Sequence, residues 1–298
     1  MRNWIVVALI LVVVGLIGTG VTLGSMGADA FSFGTEKVEK VERISADGLK
    51  SIMLQTGSAD VDIVPGTGSE IVASLDGRAS KKFRDKIKLE LERSGNELKV
   101  QVKAGTGFSI GVNILDVDLR LELPQAQWEK LTINGGSGNT DLSQLEAKEI
   151  KLELGSGNVS LHQIKAGKVA VEAGSGNMNV DASELEKLDV DVSSGNVKLS
   201  DVTAGQIDAE TGSGNIHISS KSLTGGIQAE TGSGNVTIAT DEEPASAKIQ
   251  YETGSGDLKN EWGGSYQDDD RKRTLVFGGG QFEIELETGS GNINLERR

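Results

Sequence analysis

The chain has 298 residues, a formal net charge of −14 and no cysteine. The acidity argues against nucleic acid as a partner, because phosphates would be repelled, and the lack of cysteine excludes disulfides and thiolate metal sites. With 40 glycines and only 4% aromatic residues, the composition is typical of a turn-rich β protein with an aliphatic core.

The N-terminal segment reads as a membrane anchor. Residues 4–24 carry no charge, and a helix rising ~1.5 Å per residue would cross a ~30 Å hydrocarbon core over this length. The positive-inside rule places a tail at 1–3 in the cytoplasm and everything after the span outside. A cleaved signal peptide is the alternative, because residues 28–30 form an A-x-A-like site. We therefore predict a single-pass protein of the cell membrane with an extracytoplasmic C-terminal domain.

A polar linker is predicted at 25–40, followed by a module of β-strands at 41–130 that stands outside the repeats described below. Ser94-Gly95-Asn96 predicts a hairpin between two alternating stretches. The stretch 56–60 resembles a degenerate copy of the repeated turn. We expect this module to cap the first rung of the repeats, because an uncovered rung would offer an edge for aggregation.

A short motif, GSGN, recurs through the rest of the chain. The repeats occupy 131–298, mostly at a spacing of 19 residues. The last residues of the eight copies, near-copies included, are Asn139, Asn158, Asn177, Asn196, Asn215, Asn235, Asp257 and Asn292. A fixed period near 20 is typical of an architecture in which each unit packs on its neighbours.

Each repeat predicts a strand, a tight corner, a second strand and a variable return loop. Eight and six residues before the corner Asn, and one and three after it, the side chains are almost all apolar. This period of two predicts inward-facing columns on both strands. The fold is therefore expected to be an all-β solenoid of parallel strands with rungs of about 19 residues. The last strand, near Leu295, is expected to finish the fold.

The corner residues are assigned a structural role. Glycine adopts positive φ without steric cost, and asparagine tolerates the left-handed conformation. Stacked asparagines can also form an amide ladder along the axis. A phosphate-binding role is disfavoured, because each corner leads into a strand instead of a helix.

A column of carboxylates is predicted on the outer surface, five residues before each corner Asn. It comprises Glu153, Glu172, Asp191, Glu210, Glu230, Glu252 and Glu287. Two interpretations stand: a solvated face that keeps the solenoid soluble, or a strip for divalent cations or a cationic partner. Oxygen ligands would suit Ca²⁺, whereas no other cofactor is indicated.

The regular spacing breaks between Asp257 and Gly289. Residues 260–280 of this irregular stretch contain three of the scarce aromatic residues, beside a triple Asp and a triple basic run. One interpretation is an insertion that also caps the last rung. The other is a loop that contacts a partner through Trp262, Tyr266 and Arg271, since exposed aromatic and Arg side chains make interface hot spots.

No catalytic constellation is visible. The only histidines are His162 and His217, on different repeats, and no nucleophile triad, zinc pair or dinucleotide fingerprint is present. We predict that the protein is not an enzyme. A polysaccharide-active β-helix enzyme is the alternative by fold, and a structural polymer of solenoids stacked end to end is another.

The GSGN corners, the alternating strands and the single N-terminal span resemble a family of bacterial β-strand-repeat proteins named "putative adhesins". The resemblance covers roughly 44–298 and implies a right-handed β-helix without catalytic residues. The layout is also similar to membrane-anchored LiaG-type proteins of the Gram-positive cell-envelope stress response. It implies a non-catalytic binding or scaffold module at the cell envelope, held by its span in the membrane, with an envelope protein or a cationic molecule as partner.

Overall fold

The computed structural model describes residues 35–80, 84–103, 115–269 and 272–298. These residues form two long sheets that face each other across one aliphatic core. The all-β prediction is confirmed. The predicted anchor at 4–24 lies outside the described residues. Within them, no helix combines the length and the apolar character needed to cross a membrane.

The strands of the N-terminal part are β1 (Thr35–Ser45), β2 (Ser51–Gly57), β3 (Asp60–Gly66), β4 (Glu70–Ser80), β5 (Lys88–Ser94), β6 (Glu97–Lys103) and β7 (Leu115–Pro124). The regular repeats contain β8 (Gln127–Gly135), β9 (Thr140–Ser143), β10 (Glu146–Ser156), β11 (Val159–His162), β12 (Lys165–Ser175), β13 (Met178–Asp181), β14 (Glu184–Ser194), β15 (Val197–Ser200), β16 (Thr203–Ser213), β17 (Ile216–Ser220), β18 (Gly226–Ser233) and β19 (Val236–Thr240). The C-terminal part contains β20 (Ala247–Ser255), β21 (Leu258–Asn260), β22 (Ser265–Asp269), β23 (Lys272–Phe277), β24 (Phe282–Ser290) and β25 (Ile293–Arg297).

Each repeat contributes one strand to each sheet. In the 12-stranded sheet, which we call sheet A, the order is β1-β4-β7-β3-β9-β11-β13-β15-β17-β19-β25-β21. In the 13-stranded sheet, which we call sheet B, it is β22-β23-β20-β24-β18-β16-β14-β12-β10-β8-β2-β6-β5. Successive strands of the repeats alternate between the two sheets. The chain therefore passes through the opposite sheet before it returns to add the next parallel strand.

The inward columns follow the predicted period of two. In the rung of β10 and β11, Ile150, Leu152, Val159 and Leu161 are all at most 2% exposed, and each pairs with its equivalent in the next rung. Full burial of such a side chain contributes about 1.5–3 kcal/mol. The stacked aliphatic columns are therefore the main stabilising element of the fold.

The solenoid begins earlier than the sequence predicts. Strands β2 and β3 pair in parallel with β8 and β9, so 51–66 is a rung and the stretch 56–60 is its corner, as its likeness to the repeat suggested. Strands β6 and β7 in turn pair in parallel with β2 and β3. The expectation that 41–130 stands wholly outside the repeats is therefore wrong. The GSGN motif alone does not reveal these rungs, because their corners differ from it. The predicted hairpin at Gly95 is confirmed, with β5 and β6 antiparallel.

The expectation that the last strand finishes the fold is also wrong. Strand β24 lies between β18 and β20, and β25 lies between β19 and β21. Strand β23 pairs antiparallel with β20 and occupies its outer edge. Because β23 covers the outer edge of β20, β24 can pair only with the edge of β20 that faces β18. The last unit (β24 and β25) therefore lies between two units that are consecutive in the sequence.

Candidate functional site

The corner asparagines form a hydrogen-bonded ladder along one edge of the solenoid. The side-chain Oδ1 of Asn158 accepts hydrogen bonds from the backbone N (2.9 Å) and the side-chain Nδ2 (3.2 Å) of Asn177. The same backbone bond repeats, at 2.6 to 3.1 Å, from Asp60 at one end to Asp257 at the other. The asparagines thus satisfy the backbone of the neighbouring rung.

The corner glycines cannot hold an anion in this arrangement. The backbone N–H groups of Gly157, Gly176 and Gly195 each donate to the carbonyl oxygen of a serine on the next rung, at 2.9 to 3.0 Å. An anion-binding nest needs free backbone N–H groups that converge. The corner is therefore a structural joint.

The acidic column lies on the outer face of sheet B, one carboxylate per rung. Six of its seven members are exposed or nearly so, and Glu230 is half-buried. Because the last unit is inserted, the order at the C-terminal end is Glu210, Glu230, Glu287 and then Glu252. Burial, together with the carboxylates of Glu287 and Glu210, raises the pKa of Glu230 above its ordinary value.

The two ends of the column differ in charge balance. At the N-terminal end Lys151 lies 2.5 Å from Glu153 and 3.8 Å from Glu172. Among the described residues, Glu210, Glu230 and Glu252 have no ion pair. The searched part of the chain also contains no group of three or more His, Asp or Glu side chains able to hold a metal ion. The column is thus a negative face with its uncompensated charge at the C-terminal end.

The irregular stretch near the C-terminus is a structured hairpin. Trp262 is only 2% exposed, its indole Nε1 donates to the Glu296 carbonyl oxygen at 2.7 Å, and its ring meets Phe277 edge-on at 6.3 Å. Tyr266 is 61% exposed, and Arg271 lies outside the described residues. Trp262 is therefore a core residue that fixes the hairpin onto the last rungs, and it is unavailable as an exposed contact.

The two histidines lie on the outer face of sheet A, on different rungs. His162 Nδ1 lies 2.9 Å from Asp181 Oδ2. Burial and the nearby Lys198 ammonium lower the pKa of His217, partly offset by Glu296. No nucleophile lies in a hydrogen-bonded arrangement with either imidazole in the described part of the molecule.

A cleft of about 650 Å³ lies beside the first rungs, and the sequence analysis missed it. Its floor is formed by Pro65, Leu123, Pro124, Trp128 and Leu145. Its rim is formed by the exposed lining residues Gln125, Ala126, Gln127, Gln144, Glu146, Gln163 and Lys165. Two signals could have revealed it: the cluster of glutamines just before Trp128, and a glutamine five residues after the corner in two successive repeats.

The register explains why Trp128 lies at this cleft. It begins an inward column whose next members are Ala147 and Ala166, so a large indole stands where the next two rungs carry a methyl group. The side chain is 4% exposed, and its Nε1 is one of two buried side-chain polar atoms of the described residues without a hydrogen-bond partner, the other being Asn134 Oδ1. Most buried donors in folded proteins are paired, so this N–H is an exception, and it belongs to a side chain that lines the cleft.

Two stacked sheets, one continuous core and a repeated polar joint define the class of a parallel β-solenoid. The family model Toastrack DUF4097 matches residues 49–296, and the chain belongs to this family. Comparison with curated proteins found no match.

Two crystal structures support the fold. The chain is similar to a "putative adhesin" from Parabacteroides distasonis ATCC 8503, with 13% identity and a TM-score of 0.53 over 86% of this chain and 96% of that one. It is also similar to a "putative adhesin" from Bacteroides fragilis NCTC 9343, with 11% identity and a TM-score of 0.51 over the same shares. At these identities the likeness shows the fold alone. The likeness to LiaG-type proteins stays a prediction.

Proposed function

We propose that the chain is a non-catalytic binding and scaffold module, held by an N-terminal membrane anchor on the outer side of a bacterial cell membrane. The observation that carries this proposal is the architecture. Two continuous sheets present outward columns that repeat from rung to rung in the regular repeats, and the described residues offer no catalytic set. Such a body is suited to display a surface at a fixed distance from its anchor.

The uncharged segment 4–24 supports the anchoring. A short tail, one span and an external repeat domain also form the layout of LiaG-type proteins. We therefore extend the proposal to an accessory role in the cell-envelope stress response.

Protease treatment of intact protoplasts that contain the full-length chain tests the topology. External protease should remove everything after about residue 25, whereas a cytoplasmic control protein stays intact. Complete protection of the repeats would contradict the proposal. A mature N-terminus that begins after the A-x-A-like site would instead favour the cleaved signal peptide.

A cationic partner protein is the second candidate, favoured by the uncompensated carboxylates at the C-terminal end of the acidic column. Capture from an envelope extract compares the wild type with Glu210→Gln/Glu230→Gln/Glu252→Gln. The matched control is Glu153→Gln/Glu172→Gln, because these two carboxylates already pair with Lys151. Loss of a partner with the first variant alone supports this role, and equal capture by all three proteins rules it out.

The sheet edges argue against the end-to-end polymer. Of the four outermost strands, β1, β5 and β22 pair antiparallel with their neighbours, and β21 pairs in parallel with β25 over only 3 residues. The short β21 and the charged residues of β1 both discourage edge pairing. Sedimentation at high protein concentration should therefore give a monomer. Concentration-dependent growth would favour the polymer.

A further inference from the structure

We infer that the cleft at Trp128 is a binding site for an uncharged oligosaccharide. The inference rests on the proposed binding role and names the chemical class of one ligand. Its starting point is the buried indole N–H of Trp128, which lacks an acceptor among the described residues. A ligand hydroxyl or amide oxygen would satisfy this donor once binding moves aside the side chains that cover it, because an unpaired buried donor is unfavourable.

The rim of the cleft is polar but almost neutral. Four of its side chains are glutamines, each of which offers both a donor and an acceptor. The one carboxylate, Glu146, is matched by one ammonium group, Lys165. On a protein with a net charge of −14, this balance is unusual. It suits a ligand that carries many hydroxyl or amide groups and no charge.

Two of the glutamines are held in place by the rungs. Gln144 and Gln163 have φ values of 54° and 52°, and each backbone N–H donates to a carbonyl oxygen of the next rung. Gln144 Nε2 donates to Gln163 Oε1 at 2.9 Å. Ala182 and Asp201 share the left-handed conformation, so it is a property of the rung. Its effect here is to fix the positions of two amide groups at the rim before any ligand binds.

Other ligand classes fit the cleft less well. The floor residues Leu123, Trp128 and Leu145 are 1%, 4% and 6% exposed, so a lipid chain would find apolar contact mainly at Pro65, Pro124 and Ala126. Strands β3, β8 and β9 are paired on both sides, so a peptide cannot add a strand here. The cleft volume of about 650 Å³ lies within the ~300–1,000 Å³ of small-molecule sites.

The test uses the full-length chain, ¹⁵N-labelled and in detergent, with cellotriose and chitotriose as probes at millimolar concentration. The protein has three tryptophans, so its indole N–H signals are few, and Trp128→Phe and Trp262→Phe assign them. We expect at least one probe to shift the Trp128 indole signal in a saturable manner. The Trp262 signal should not move, because its N–H already donates to Glu296.

The variants separate the site from the fold. Trp128→Phe removes the donor and keeps an aromatic ring, and it should weaken binding at least tenfold. Trp262→Phe is the matched control and should bind as the wild type does. The exposed double variant Gln144→Ala/Gln163→Ala should weaken binding similarly, and it decides the matter if Trp128→Phe does not fold.

Three outcomes would overturn the inference: no shift of the Trp128 signal with either trisaccharide, unchanged affinity in both the Trp128 and the double glutamine variants, or tighter binding of trigalacturonate or a neutral tripeptide. The first outcome would mean that water alone occupies the cleft. This titration is independent of the protoplast experiment, so a failure of the ligand class and a failure of the topology are distinguishable.

Discussion

Glu230 lies beside Glu287, which is distant from it in the sequence. In the folded chain it lies between Glu210 and Glu287, one on each adjacent strand. The raised pKa of Glu230 follows from burial and from these two carboxylates. At the residue scale, the stacking of carboxylates on adjacent rungs thus creates an electrostatic cost in the native state that the unfolded chain does not have.

We expect Glu230→Gln to stabilise the protein at neutral pH and not in acid. Since the folded-state pKa is raised, the charged carboxylate destabilises the fold above that pKa. The penalty disappears as the pH falls below the ordinary value of about 4.3, where both states bind the proton. The gain in unfolding free energy at neutral pH should be below about 1 kcal/mol, and salt should reduce it.

Urea unfolding at about pH 7.5 and about pH 3.5 measures this difference. Glu153→Gln is the control, because Glu153 pairs with Lys151 and its loss should bring no gain. An equal gain from Glu230→Gln at both pH values would show that charge is not the cause.

We expect the same substitution to destabilise the protein to different extents at the two buried tryptophans. Trp262→Phe removes the hydrogen bond to the Glu296 carbonyl oxygen and should cost about 1–2 kcal/mol. Trp128→Phe removes a donor that has no partner among the described residues, which offsets the loss of ring volume, and should change stability by less than about 1 kcal/mol. Thermal unfolding of both variants measures the contrast. A larger loss for Trp128→Phe would show that its N–H is satisfied in solution.

At the scale of the element, the corner depends on the close approach of successive backbones. A Cβ added at Gly195 would lie 1.8 Å from the carbonyl oxygen of Gly176, and the φ of Gly195 is +150°. The same contact recurs from rung to rung, for example between Gly176 and Gly157 at 1.9 Å. The repeated glycine is therefore required by the rung spacing as well as by the turn.

Gly195→Ala is expected to cost more than about 3 kcal/mol, because both strands of the rung would have to move apart. Gly95→Ala is the matched control. Gly95 also has positive φ (+61°), but nothing lies within 4 Å of the position that its new methyl group would take, so only the left-handed penalty of about 1–2 kcal/mol applies. Equal losses in chemical denaturation would contradict the argument from close approach.

At the scale of the whole molecule, both ends of the solenoid depart from chain order. At the N-terminal end β2 and β3 lie between β6 and β7 on one side and β8 and β9 on the other. At the C-terminal end β24 and β25 lie between two units that are consecutive in the sequence. Each end therefore closes only when a later segment pairs with an earlier one, which ties the terminal rungs into the cooperative unit.

Removal of residues 281–298 should therefore do more than shorten the solenoid by its last rung. It would separate β18 and β19 from β20 and β21 and expose edges on both sides of the gap. We expect loss of hydrogen-exchange protection throughout 226–277, with protection retained in β10 to β15. Deletion of Arg297 and Arg298 alone is the control. It removes exposed ion pairs to Glu243, Asp201 and Asp241 but leaves β24 and most of β25 in place. Retained protection in 247–260 after the longer deletion would contradict this assignment.

The sequence by itself determined the repeat, its inward columns and the role of the corners. These features depend on local rules, namely the alternation of side chains along a strand and the conformational freedom of glycine. The same sequence pattern therefore recurs in each repeat. The acidic column followed from the same alternation. Right-handedness remains a prediction from the resemblance.

Only the tertiary structure decided the order of the rungs, the burial of Trp262 and the cleft at Trp128. All units present equivalent edges, so the sequence period cannot say which unit pairs with which, and long connections decide it. Trp262 looked like an exposed contact because its neighbours in the sequence are polar, whereas its partners, Glu296 and Phe277, come from other strands. The cleft joins residues from β3, the β7–β8 connection with its flanking strands, and the first two return loops with the starts of β10 and β12, which no sequence window brings together.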